Sequence, residues 1–314
     1  MTLGLRGSMV ALVTPFRHDE VDWTALRRLV EFHVREGTSA LVPCGTTGES
    51  ATLSHEEHDR VIEEIIQASR GRIPVIAGTG SNNTKEAIRL TRHAKDAGAD
   101  AALLISPYYN RPTQRGLYLH FKAIAEAVAL PLVLYNIASR TGVNMEPDTI
   151  AKLHADCPSI IGIKEASGNL EQMSRILSVT KRRLVLLSGD DALTLPVLSI
   201  GGAGVISVAA NIVPRDVARL VEAFEQGRIS EAREWHEKLL PLIKALFLET
   251  NPIPVKTAMG LLGMIEPELR LPLCAMDEQN LQKLKMALER YGLQRIVLGP
   301  PQPPRGRSKT ASRR

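Results

Sequence analysis

Eight short apolar runs, each followed at once by turn residues, constrain the fold of this chain more tightly than anything else in it. They occupy residues 9–13, 40–42, 74–77, 101–105, 131–134, 160–163, 184–187 and 204–208. Runs of this length bounded by turn signals read as fully buried strands of a parallel sheet. Amphipathic segments lie between them. Residues 22–36 bring Leu26, Leu29, Val30 and Val34 to helical spacing, and Ser54 with Glu57 has the form of a capping box opening the next helix. Further helices fit 84–96, 114–129, 146–156, 170–180, 192–200 and 214–226. Strand and helix alternating eight times is the pattern of an α/β protein of the (β/α)8 TIM-barrel type. A doubly wound open sheet is the competing architecture, but no dinucleotide-binding fingerprint accompanies these units. Residues 228–298 change character, with helices at 229–249, 254–262 and 277–291 and no strand-like alternation. The expected organisation is a catalytic barrel over 1–227, a small C-terminal helical domain over 228–298, and a disordered Pro-rich basic tail over 299–314.

In such a barrel the active site lies where the strands end, so what each strand delivers can be read off. The second delivers Gly45-Thr46-Thr47-Gly48-Glu49 and the fourth Tyr108 and Tyr109. The fifth delivers Tyr135 and Asn136 with Arg140 beyond, the sixth Lys164, and the seventh Gly189-Asp190. Of only five tyrosines, three fall at these ends. Lys164 follows the run 160–163 directly. An amine at the end of a buried strand is poorly solvated, which favours its neutral, nucleophilic form. Such an amine can form a Schiff base with a ketone, and the iminium then lets the adjacent carbon react as an enamine. Tyr135 can act as general acid and base, Thr46 can link it to another tyrosine, and hydroxyls and amides near Thr46 and Thr47 can hold a carboxylate. The guanidinium of Arg140 suits a second carboxylate. The plainer alternatives are that Lys164 reaches water or pairs with Glu165, and that each tyrosine is a rim residue.

Composition narrows the function classes. The formal net charge is +5, and residues 299–314 alone hold Arg305, Arg307, Lys309, Arg313 and Arg314 without an acid, so the remainder balances to zero. The body is therefore no nucleic-acid surface. Three widely spaced cysteines suit a reducing compartment, and no signal-peptide stretch opens the chain. Residues 192–214 run uncharged for the length of a membrane span, but Pro196, Gly201, Gly202, Gly204 and Asn211 make them a buried helix, a glycine turn and a strand. We expect a soluble cytoplasmic protein without membrane association. No His/Cys ligand cluster supports a metal or cofactor, and His55 and His58, at i and i+3, read as solvated surface residues.

Taken together, these motifs resemble the pyruvate-dependent class I aldolase family over nearly all of residues 7–293. The resemblance rests on Gly45-Thr46-Thr47-Gly48-Glu49-Ser50, Ser106-Pro107-Tyr108-Tyr109-Asn110-Arg111-Pro112, Tyr135-Asn136 with Ser139-Arg140-Thr141-Gly142, Gly162-Ile163-Lys164-Glu165-Ala166, Leu187-Ser188-Gly189-Asp190-Asp191 and Asn251-Pro252-Ile253-Pro254-Val255-Lys256. It implies that Lys164 forms the Schiff base with pyruvate, and that Tyr135, Thr46 and Tyr109 form a proton relay. Tyr109 is then supplied by the neighbouring subunit of a homotetramer, a dimer of dimers. It further implies that Thr47 holds the pyruvate carboxylate, that Arg140 binds the carboxylate of L-aspartate 4-semialdehyde, and that Gly189 and the Ile206 carbonyl lie by the substrate. The reaction implied is the condensation and cyclisation that enters lysine biosynthesis through diaminopimelate. Sialic acid lyases of the same family lack this arginine and carry Ser-Thr in place of Thr46-Thr47. A lyase of that kind, or one cleaving a 2-keto-3-deoxy sugar acid, is the first alternative, and a non-catalytic regulatory barrel the second. The family usually has proline where this chain has Ala138, which is expected to loosen the loop carrying Arg140. Ser50, Ala51, His55, His58, Asn82, Glu86 and Tyr108 match the positions that bind lysine at a subunit interface in feedback-inhibited members.

Overall fold

A computed structural model describes residues 4–294, 296, 298 and 299. The expected disordered tail therefore lies outside the described residues from Pro300 onward. The strands, in chain order, are β1 (Gly7–Ala11), β2 (Phe16–Arg17), β3 (Glu20–Val21), β4 (Ala40–Val42), β5 (Ile76–Gly78), β6 (Ala101–Ile105), β7 (Leu132–Asn136), β8 (Ile160–Glu165), β9 (Val185–Ser188) and β10 (Gly204–Ser207). β2 and β3 form a small antiparallel hairpin. The other eight are the eight runs identified in the sequence, all parallel, in the order β4-β1-β10-β9-β8-β7-β6-β5. The ends of that order meet. Leu41 donates its amide to the Pro74 carbonyl and Gly78 donates to that of Pro43, both at 2.9 Å, so β4 and β5 close the sheet into a barrel. Closure removes both sheet edges, leaving no unpaired row of backbone groups.

The helices are α1 (Trp23–Arg35), α2 (His55–Ser69), α3 (Thr84–Ala97), α4 (Gln114–Ala127), α5 (Ala138–Thr141), α6 (Pro147–Asp156), α7 (Leu170–Val179), α8 (Thr194–Ile200), α9 (Pro214–Glu225), α10 (Ile229–Ala245), α11 (Ile253–Leu261) and α12 (Glu278–Tyr291). Their starts are chemically marked. Ser54 and Glu57 form the full capping box at α2, and Asn83, Thr113 and Asn169 accept backbone hydrogen bonds at α3, α4 and α7. The barrel interior is filled by inward side chains such as Met9, Val42, Ile76, Leu103, Val133, Leu187 and Ile206. A second apolar layer joins the strands to the surrounding helices. It runs on without a break into α10, α11 and α12 through Leu239, Leu242, Val255, Met259 and Leu284. The uncharged stretch 192–214 folds into α8, a glycine turn and β10, as read from its sequence. Among the described residues no helix is long and apolar enough to cross a membrane.

Three features differ from expectation, the first being the β2–β3 hairpin between β1 and α1. β7 and β8 each carry two residues beyond their apolar runs, so Asn136 and Glu165 belong to the strands. The segment after β7 is not an irregular loop but the one-turn helix α5. Its Gly142 amide donates to the Ala138 carbonyl at 2.9 Å, with Gly142 closing the turn in the left-handed region.

Candidate active site at the mouth of the barrel

β7 and β8 pair in a register that sets Tyr135 opposite Lys164 and Asn136 opposite Glu165. Alternation along a strand then divides the four residues between two faces. Tyr135 and Lys164 face the barrel interior, where the Lys164 Nζ lies 4.3 Å from the centre of the Tyr135 ring. Both are buried. Asn136 and Glu165 face the helices. The Glu165 carboxylate there accepts hydrogen bonds from Asn136, from Gln172 and from the Ser167 amide. The plain alternative of a Lys164–Glu165 ion pair is thereby excluded, since strand geometry sends the two groups apart. Gly189 backs the lysine. A Cβ added there would meet the Lys164 Cε at 3.1 Å and the Ala166 Cβ at 2.7 Å, so glycine is what gives the amine its room. Ile206 is fully buried in the same interior layer as Tyr135.

The Thr46-Thr47 turn follows β4. It is wound tightly, with Gly48 and Glu49 donating their amides to the carbonyls of Gly45 and Thr46 at 3.1 Å. Glu49 ends the turn in a left-handed conformation, φ 51°. Its buried carboxylate pairs at 2.5 Å with Lys256, which also donates to the Thr14 carbonyl at 2.9 Å and lies over the Phe16 ring. Burial pushes the Lys256 ammonium below the usual lysine range, against the opposing pull of Glu49. Thr47 is buried, and its hydroxyl oxygen accepts a hydrogen bond from the Asn251 amide at 3.0 Å. Arg140 stands on α5 and donates to the Asn251 backbone carbonyl, also at 3.0 Å. Glu49, Asn251 and Lys256 sat inside sequence motifs without an assigned role. The signal for Lys256 was a lone charge in the otherwise apolar stretch 252–259.

Thr46, Glu49, Tyr135, Arg140 and Asn251 border a cavity of about 570 Å³, whose lining does not include Lys164 or Thr47. Ser50, Ala51, His55, His58, Glu86 and Tyr108 line the same cavity. The His55 Nε2 is 3.3 Å from a Glu86 oxygen, and Ser81 donates a short hydrogen bond to the other Glu86 oxygen. Asn82 is held beside them by its amide on the Tyr108 carbonyl. Burial and the nearby Glu86 carboxylate push the Tyr108 phenol up. His58 is not the solvated surface residue its sequence position suggested. It is 6% exposed, its Nε2 is 3.0 Å from the Gly78 carbonyl, and burial holds its imidazole below the usual range. The helix face carrying His58 is pressed onto the end of β5, so the residue is a buried cavity wall. Tyr109 is not brought to the others. It is 91% exposed, on a left-handed backbone of φ 70°.

A buried amine against a phenol that lines one cavity together with a threonine hydroxyl and a guanidinium can bind a keto acid, activate its carbonyl and hold a second anionic partner. Comparison with known proteins bears on this arrangement. The model of the dihydrodipicolinate synthetase family matches residues 4–291. A 4-hydroxy-tetrahydrodipicolinate synthase of Syntrophus aciditrophicus (strain SB) is 58% identical over 288 residues, covering 92% of this chain and 99% of the relative. The crystal structure of dihydrodipicolinate synthase from Aquifex aeolicus superposes with a TM-score of 0.91 at 52% identity, over 92% of this chain and 99% of that one. The enzyme of Cyanidioschyzon merolae, crystallised with lysine bound, superposes with a TM-score of 0.90 at 44% identity, over 93% and 100% of the two chains.

Proposed function

The chain belongs to the dihydrodipicolinate synthetase family, and from that premise we propose how its side chains divide the work of a 4-hydroxy-tetrahydrodipicolinate synthase, a lyase that joins pyruvate to L-aspartate 4-semialdehyde. Lys164 attacks the ketone carbon of pyruvate, and water leaves to form the iminium. Tyr135 supplies and recovers the protons of that step, and Thr46 passes them onward. Loss of a methyl proton gives the enamine, which attacks the aldehyde carbon of the second substrate. The substrate's own amine then closes the ring on the imine carbon and releases Lys164. Thr47 holds the pyruvate carboxylate and Arg140 that of the semialdehyde, with Gly189 and the Ile206 carbonyl against the bound keto acid. The observation that carries this reading is the buried Lys164 amine, 4.3 Å from the Tyr135 ring and without a carboxylate partner among the described residues. The sugar-acid lyase alternative is disfavoured by Arg140, and a non-catalytic barrel by the intact set.

Borohydride reduction in the presence of pyruvate tests the reading. The protein should gain the mass of one reduced pyruvyl group, mapped to Lys164 and lost in Lys164→Ala. An unchanged mass, or a label on another side chain, rejects it.

Tyr109 completes the relay of a neighbouring subunit in a homotetramer. Its exposure of 91% in a chain where it touches no site residue supports that role, and native mass measures the assembly. The cavity wall formed by Ser50, Ala51, His55, His58, Glu86 and Tyr108, with Asn82 beside it, binds L-lysine as a feedback inhibitor. The Glu86 carboxylate there suits an ammonium group, and the lysine-bound relative supports the assignment. Millimolar L-lysine should at least halve the rate, and an unaffected rate would remove this proposal.

A further inference from the structure

We propose that Asn251 is a positioning residue that fixes the donor direction of Thr47 and anchors Arg140, so that one residue presets both carboxylate-binding groups. The inference rests on the functional reading above, and it follows from the polarity of the contacts. The amide nitrogen of Asn251 can only donate, and it donates to the Thr47 oxygen at 3.0 Å. The Thr47 hydroxyl must therefore accept on that side, which leaves its single proton for another acceptor. A carboxylate is such an acceptor, and the bond to it is charge-assisted. The backbone carbonyl of the same residue takes one Arg140 N–H at 3.0 Å, which holds the guanidinium at the cavity and uses only one of its five donors. Asn251 is 6% exposed, and its side-chain oxygen has no hydrogen-bond partner among the described residues. Packing alone does not favour an unpaired buried acceptor. An aliphatic side chain would fill the space at lower cost, whereas only a donor sets the Thr47 proton.

Two substitutions separate this role from a structural one. In Asn251→Asp the shape is kept but the donor becomes an acceptor, so Thr47 turns its proton toward residue 251 and away from pyruvate. In Asn251→Ala the hydroxyl is left free to rotate. The readout is the pyruvate concentration giving half-maximal borohydride-trapped adduct, which requires neither turnover nor the second substrate. We expect it to rise about tenfold in Asn251→Asp, the effect of one lost charge-assisted hydrogen bond, and less in Asn251→Ala. The KM for L-aspartate 4-semialdehyde should move little in either, because the carbonyl that holds Arg140 is retained. A half-saturation within twofold of the parent in both variants overturns the proposal. So does an equal loss of adduct yield at all pyruvate concentrations, which is the mark of a folding defect. Failure of the parent protein to form any adduct would instead reject the Schiff-base reading and this proposal with it.

Discussion

Lys164 and Glu165 are adjacent in sequence and opposite in fate. The amine enters a narrow interior against an aromatic ring, and the carboxylate enters a polar network behind it. The room the amine needs is set by Gly189, where even a methyl group would approach the Lys164 Cε to 3.1 Å. Gly189→Ala should therefore lower kcat/KM by about tenfold or more by displacing the nucleophile from its attack geometry. Steady-state kinetics check this, and unchanged values would mean that the lysine tolerates the shift. At this scale, Lys164 and Tyr135 were readable in the sequence because each follows directly on an apolar run whose end must lie at the barrel mouth, and Thr46 because it sits in the polar turn after such a run. Asn251 and Lys256 were not. Their partners Thr47 and Glu49 are 204 and 207 positions away, and no local pattern records which distant hydroxyl or carboxylate a side chain will meet. His58 was misread for a related reason, since the capping box located its helix but not which turn would press on β5.

The eight apolar runs became the eight barrel strands because a parallel strand buried on both faces leaves an uninterrupted signature. Strand ends were harder to place. Asn136 and Glu165 look like turn residues, yet they extend β7 and β8, because each satisfies the other's polar groups between sheet and helices. Besides the short β2–β3 hairpin, sequence reasoning missed α5. Four residues are too few for helical periodicity to show, and Ala138 in place of proline argued for looseness. The turn is held by other means. The Arg140 and Thr141 amides both donate to the Ile137 carbonyl at 3.1 Å, and the Thr141 hydroxyl reaches the Ile137 and Val143 carbonyls. Proline fixes φ at the first position of a helix, but hydrogen bonds that pin the following residues serve the same end. Arg140 thus stands on a closed turn, its guanidinium tethered to the segment that leads into α11.

Across the whole molecule, buried imidazoles make the fold sensitive to acid. His33, on α1 beside the Thr38 hydroxyl, is fully buried, and desolvation lowers it to about 3. His120, against the Phe121 ring and the Thr84 hydroxyl, is lowered to about 4. In both the neutral form is favoured by folding, so below the ordinary histidine value of 6.5 the unfolded chain takes up protons that the folded chain refuses. The unfolded state then binds more protons, and stability falls as pH falls. That loss begins near pH 6.5, continues to about 4 for His120 and to about 3 for His33, and is absent above 7. Between pH 7 and pH 5 each histidine should cost about 2 kcal/mol. Glu31 and Glu57 add to the loss only at lower pH. Their carboxyls are held below the usual range chiefly by hydrogen bonds from Arg72 and Arg270, and that contribution disappears as they protonate below about 4.5. Urea unfolding at pH 7 and pH 5 measures the difference. The midpoint should fall over this interval, and His120→Gln, which keeps a polar group beside Thr84 without a titrating ring, should flatten the dependence. Equal midpoints at the two pH values would show that these imidazoles take up protons in the folded state after all, by admitting water or by local opening around α1 and α4.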